Sequence, residues 1–193
     1  MSARDRTARS RPWWWLLAGL AAVGVSCRTP DSSDAASTIE LARTLDGAEL
    51  QPSAAAFSRT LVVLAGHDAV AIVAPAASRV TWPLRLPPHA WFAAQVGAIR
   101  NCADDTASVR FSVGISDDRT YEELWRAVVP ASDPASPRWT PVGIDLGDYG
   151  GTKLSLFYQP ARITWRLIAN ARPAPPSACV AQVLWAAPRV EAR

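Results

Sequence analysis

Two histidines, three cysteines, one run of carboxylates and nine tryptophans are the side chains of this 193-residue chain with chemistry to offer. His67 and His89 have no cysteine or carboxylate at the spacing a zinc site requires, so no metal site is expected. Gly66-His67-Asp68 reads as a turn, and His89 after Pro87-Pro88 as a loop residue. No Gly-x-Ser-x-Gly occurs, which leaves no nucleophile elbow. Gly150-Gly151-Thr152-Lys153 lacks the earlier glycine and the strand-to-helix setting of a phosphate loop and reads as a hairpin turn with positive φ. Asp117, Asp118, Glu122 and Glu123 form the one acidic cluster, with Asp104-Asp105 beside Cys102 a lesser pair. Calcium needs six to eight convergent oxygens, so the cluster is a solvated hairpin in which Asp117 and Asp118 remain candidates for a ligand contact. Paired carboxylates for glycoside hydrolysis would have to face each other across a deep groove, for which the body of the chain leaves little room. No catalytic residue, cofactor or enzymatic activity is expected.

Aromatic rings are what remains. Trp82, Trp91, Trp125, Trp139, Trp165 and Trp185 follow the N-terminal segment, and an exposed indole face stacks on a sugar ring. Trp82 and Trp165 fall in phase with apolar neighbours, which marks them as core; Trp125 within Leu124–Val129 is ambiguous. Trp91 is out of phase with Phe92, Ala94 and Val96, points outward, and is the third ligand-binding candidate.

The elements that must position these residues are strands. Apolar and polar side chains alternate over Val109–Ile115, Val80–Leu86, Val142–Leu146, Leu154–Tyr158 and Ile163–Leu167, the pattern of half-buried antiparallel strands. Further apolar runs cover Leu61–Leu64, Ala69–Val73, Ala90–Val96, Leu124–Val129 and Val180–Trp185. About ten short strands separated by turn clusters such as Ser116-Asp117-Asp118 predict an all-β fold, a two-sheet antiparallel jelly-roll-like sandwich. Pro83 has no amide hydrogen to donate, so its strand belongs at an edge or carries a bulge. Ser37 and Glu40 have capping-box spacing, and Ile39, Ala42 and Leu45 recur at helical intervals, predicting a short helix over 38–46 ahead of the sandwich.

The formal charge of +3 is carried entirely by residues 1–26, where four arginines meet one aspartate. A neutral remainder offers no electrostatic footprint for nucleic acid. Arg4 to Arg11 form a basic n-region, and Leu16–Val25 an apolar stretch too short to span a bilayer. It ends in Gly24-Val25-Ser26-Cys27, which resembles the lipobox of bacterial lipoproteins, although Gly24 stands where leucine is usual. The resemblance implies a signal peptide over 1–26, a diacylglycerol on Cys27 and a membrane anchor, followed by a flexible tether over 27–37 and the domain over 38–193. Arg28 behind Cys27, rather than aspartate, points to the outer membrane. Cys102 and Cys179 are then left over; they are either two buried thiols or, as an oxidising envelope compartment favours, a disulfide.

The second half carries an ordered set of motifs: Val109-Arg110-Phe111-Ser112-Val113, Trp139-Thr140-Pro141-Val142-Gly143-Ile144-Asp145-Leu146-Gly147-Asp148-Tyr149-Gly150-Gly151, Leu154-Ser155-Leu156 and Trp185-Ala186-Ala187-Pro188-Arg189-Val190. Over residues 78–190 this resembles the galactose-binding-like jelly-roll sandwiches, in particular the NPCBM type of carbohydrate-binding module. The family places acidic or polar residues beside the closing tryptophan, where this chain has Leu184, Ala186 and Ala187. The resemblance implies a non-enzymatic binding module for a glycan or other envelope ligand, engaged by loops at one end of the sandwich. The alternative is a structural or assembly accessory that binds a partner protein.

Overall fold

Alternating side chains become alternating burial. In the computed structural model, which describes residues 38–103, 106–150, 164–173 and 179–193, Val109, Phe111, Val113 and Ile115 of one strand are buried while Arg110 between them is exposed. The described residues form eleven strands: β1 (Thr38–Glu40), β2 (Glu49–Gln51), β3 (Ser58–Leu64), β4 (His67–Pro75), β5 (Ser78–Leu84), β6 (Ala90–Arg100), β7 (Ser108–Ser116), β8 (Tyr121–Pro130), β9 (Thr140–Asp145), β10 (Trp165–Pro173) and β11 (Val180–Ala192). A helical turn, α1 (Gly147–Gly150), follows β9. The leader, Cys27, the tether, Asp104-Asp105, the alternating stretch Leu154–Tyr158 and Ile163 lie outside the described residues.

Every strand pairing is antiparallel. Sheet A runs β3-β4-β11-β6-β9, with β1 added along the second half of β11; sheet B runs β2-β5-β10-β7-β8. Their facing sides close on one core, in which Trp82, Trp185, Phe92 and Phe111 are the largest fully buried side chains. Phe111 of sheet B meets Trp185 of sheet A edge to face at 5.2 Å, one of the contacts that join the two layers. The sandwich predicted from the sequence is the fold observed.

The helix predicted over 38–46 is not formed. β1 pairs Thr38–Glu40 with Glu191–Arg189, and a turn and a 3-10 segment at Leu45–Gly47 follow. β11 is thirteen residues long and β4 pairs only with Gln182–Ala186, so an open stretch of its edge takes three backbone partners that an isolated nine-residue helix could not match. The apolar spacing reports burial nonetheless, since Leu41, Ala42 and Leu45 are all in the core.

The closing Trp-x-x-Pro acts as a hinge in that strand. Ala187 has φ of 45°, and the β6–β11 register shifts between Ala186 and Arg189. This bulge lets β11 leave β4 and take up β1, while the Pro188 carbonyl accepts from Leu41 N. Pro83 sits on β5 beyond the three residues that β2 covers, where no amide hydrogen is required on that side. Gly150 belongs to α1 and has no positive φ; a Cβ there would run into the Pro87 carbonyl, so close approach is its role. Cys102 and Cys179 form a disulfide at the junction of β6 and β11, with Cα atoms 5.3 Å apart.

Candidate functional site

Sheet B turns polar side chains outward in rows that cross its strands. Strand register puts Gln51, Arg79, Asn170, Ser112 and Arg126 side by side across all five strands. The next row sets Arg172 opposite Arg110, and the row on the other side runs Thr81, Ile168, Gly114 and Glu123. The polar phases of β5, β7, β8 and β10 thus converge on one face.

A depression of about 500 Å³ lies over these rows. Ile168 is its floor: outward-facing yet only 2% exposed, because its neighbours stand above it. Gly114 beside it leaves space that Tyr121 fills, the phenol ring lying so near that a Cβ on Gly114 would be 2.5 Å from it. Arg79, Arg110, Arg126, Arg172, Asn170, Ser112 and Glu123 form the walls. A second recess adjoins it, sharing Arg79, Asn170 and Arg172 and extending past Gln51 and Pro52, so the two make one elongated trough.

Tyr121 reaches this face through a bulge. Val113 faces Trp125 and Gly114 faces Glu123, so Leu124 is an extra residue. Without it Glu123 and Tyr121 would share the inward side of Trp125; with it both swing onto the trough. The same irregularity makes Trp125 ambiguous in the sequence; it is half-buried against the core. Burial and then the Glu123 carboxylate push the Tyr121 hydroxyl above its ordinary range, so it stays a donor at neutral pH, with Ser112 hydrogen-bonded to it.

A different depression lies where the outer side of sheet A at Trp91 meets β8 of sheet B, lined by Trp91, His89, Leu124, Asp145, Asp148, Tyr149 and Arg193. Trp91 points outward as predicted, but its ring rests on Gly143 and the Arg193 guanidinium covers it at 3.8 Å. Arg193 and Arg189 both contact Glu191, whose carboxyl is held below the usual range chiefly by the Arg189 hydrogen bond. Tyr149 donates to Glu122 Oε2 at 2.6 Å and packs edge-on against Trp165; burial and that hydrogen bond push its hydroxyl up to about 12. Trp165, predicted as core, is half-buried at this margin, because α1 brings Tyr149 over it instead of the opposite sheet.

The two aspartates are elsewhere again. Asp117 Oδ1 accepts from Arg119 N, Thr120 N and Thr120 Oγ1, which closes the β7–β8 turn and holds its carboxyl below the ordinary value. Asp118, at φ of 73°, pairs at 2.6 Å with Arg166 near the start of β10, at one end of the strands of sheet B. Trp91 lies against sheet A, and neither aspartate lines its depression. Among the described residues, no three His, Cys, Asp or Glu side chains are grouped so as to hold a metal ion.

No family model matches the sequence, and no curated protein matches it. Solved structures to which the chain is similar include carbohydrate-binding modules. One is the M60 catalytic domain with the CBM51-1 and CBM51-2 domains of Clostridium perfringens ZmpB, at 14% identity over 70% of this chain and TM-score 0.45; this chain spans 12% of its length. Another is the CBM22-1 xylan-binding domain of Paenibacillus barcinonensis Xyn10C, at 10% identity over 80% of this chain and 92% of that one, TM-score 0.42. A third is CBM28, a non-crystalline cellulose specific module, at 8% identity over 70% and 80%, TM-score 0.44. The likeness is one of fold.

Proposed function

We propose that this protein is a non-enzymatic glycan-binding module, lipid-anchored through Cys27 in a bacterial cell envelope, whose binding face is the outer side of sheet B. The observation that carries the reading is the trough itself: an apolar floor at Ile168, a half-exposed ring at Tyr121, and hydrogen-bonding side chains on all sides. A sugar ring presents an apolar face and a rim of hydroxyls, and this face presents the complement of both. The site is therefore on a sheet face rather than at the loops of one end. Trp91 is the competing platform, with its ring already occupied by Arg193.

The test is a glycan array probed with the intact chain in non-ionic detergent. Binding should fall about tenfold, roughly 1.4 kcal/mol, in Tyr121→Ala and stay unchanged in Trp91→Ala. The reverse pattern would move the site to sheet A. Mass spectrometry of the membrane-extracted protein tests the anchor: an N-terminal peptide beginning at an acylated Cys27 supports it, and an intact 1–26 segment removes it.

One observation favours the accessory reading. β3 is an edge strand that pairs only with β4 among the described residues, and its Leu61 and Val63 are 70% and 64% exposed. An apolar, unpaired edge is a surface on which another chain adds a strand. A partner recovered by cross-linking and lost in Leu61→Lys, with no glycan bound, would establish it.

A further inference from the structure

The trough holds more positive charge than its own carboxylates balance. Arg126 is paired with Glu123 at 2.6 Å, but among the described residues no carboxylate pairs with Arg79, Arg110 or Arg172. Arg110 and Arg172 stand directly opposite each other on β7 and β10, a like-charged cross-strand pair that works against the sheet. At the other end of the same face the chain does supply counter-charges: Arg166 meets both Asp118 and Glu49. The imbalance is local, since the body as a whole is formally neutral.

We propose that the ligand of this face is an anionic glycan, a sugar chain carrying carboxylate or sulfate groups that are met by Arg79, Arg110 and Arg172. The inference rests on the glycan-binding reading above and specifies its ligand. A guanidinium presents a planar fork of donors that matches two oxygens of a carboxylate or sulfate. Asn170 and Ser112 stand between Arg79 and Arg126 in the transverse row and offer hydrogen bonds to hydroxyls. The row's two arginines are three strand spacings apart, ~14 Å, and the adjoining recess lengthens the site, which suits several linked sugars. A lone phosphate would use one or two arginines and leave the apolar floor and the far end of the row idle. With cations in excess and an occupant supplying the missing charge, the Arg110–Arg172 repulsion becomes a binding contribution.

The experiment measures binding of the intact chain in non-ionic detergent to immobilised polygalacturonate, dextran sulfate and neutral dextran, with a DNA duplex as a polyanion that is not a sugar polymer of this kind. Retention is expected on one or both anionic polysaccharides and not on neutral dextran. It should weaken as salt rises from roughly tens to hundreds of millimolar. Polygalacturonate alone assigns carboxylate, and dextran sulfate alone assigns sulfate. The double variant Arg110→Gln/Arg172→Gln should lose about tenfold or more in affinity while melting at or above the wild-type temperature, since a repulsion has been removed. Should it melt lower, Arg79→Gln on a different strand gives the same readout, and Arg119→Gln on the exposed β7–β8 turn is the unchanged control. Binding of neutral glycans unaffected by these variants overturns the charge assignment and leaves the glycan reading intact. Failure to bind glycans of either kind removes both, and equally tight retention of DNA overturns the assignment in favour of general polyanion capture.

Discussion

The two outer faces of the sandwich use the same residue types to opposite ends. On sheet A, an indole, arginines and carboxylates satisfy one another: Arg193 covers Trp91, Glu191 takes both Arg189 and Arg193, and Asp145 Oδ1 accepts from Gly147 N. On sheet B, an aromatic ring lies half-exposed in a trough where Arg126 has Glu123 but Arg79, Arg110 and Arg172 have no acidic partner among the described residues. A face whose groups are already paired has little to gain from a ligand, because each contact made must replace one broken. A face with unspent donors over an apolar floor gains from the first contact. The contrast also separates two uses of an exposed ring: Trp91 anchors the end of β11, whereas Tyr121 remains open to solvent.

Four perturbations break or sharpen that contrast. The largest removes a support common to both faces. In the chain-entropy model, opening the Cys102–Cys179 bond by the double change to serine costs about 4.5 kcal/mol for a loop of 77 residues, read as a lower urea midpoint, with both faces failing together. Next, a glycine under each ring distinguishes them. A Cβ on Gly114 meets the Glu122 carbonyl, which is backbone, as well as Tyr121, whereas one on Gly143 meets only the Trp91 ring at 2.9 Å. Gly114→Ala should therefore cost about 1–3 kcal/mol by chemical denaturation and displace Tyr121, and Gly143→Ala distinctly less. Smaller still is Arg193→Ala, which loses about 0.5–1 kcal/mol and uncovers Trp91, read as a change in tryptophan fluorescence. If that variant acquires glycan binding on sheet A, occupancy by Arg193 was what silenced that face.

The smallest effect is one that the β7–β8 turn of sheet B and the end of β11 in sheet A share. Asp117, held down by amides of its own turn, and Glu191, held down by Arg189, both have folded-state values below their unfolded ones. Their contribution is complete at neutral pH, above the ordinary carboxylate range, and is lost as pH falls through those depressed values. Carboxyl chemical-shift titration should find both carboxylates ionising below ordinary aspartate and glutamate.

Most of the strand positions were legible because alternation encodes burial directly, and β7 extends the predicted Val109–Ile115 by one residue at each end. β1 and β2 were not, because three-residue strands carry no period of their own and exist only where a longer neighbour leaves an edge open. The proposed binding face was half-legible. Arg79, Arg110 and Asn170 sit in the polar phase of their strands, but only the order β5-β10-β7-β8 makes them neighbours, and no local pattern states sheet order. The formal neutrality of residues 27–193 hid the cluster, since a sum over residues erases where they stand. Tyr121 was out of reach because one extra residue, Leu124, reverses which side of β8 faces inward.

The bond between Cys102 and Cys179 joins two strands that are already neighbours, since Arg100 of β6 pairs with Val180 of β11. What it adds is enclosure. β7, β8, β9 and β10 all lie between its two ends, so Arg110, Arg126 and Arg172 belong to a single covalent ring that closes on sheet A, while Arg79 approaches from outside it. Cells that oxidise this thiol pair thereby tie the greater part of the proposed binding face covalently to the opposite layer of the molecule, and a reducing milieu would remove that tie.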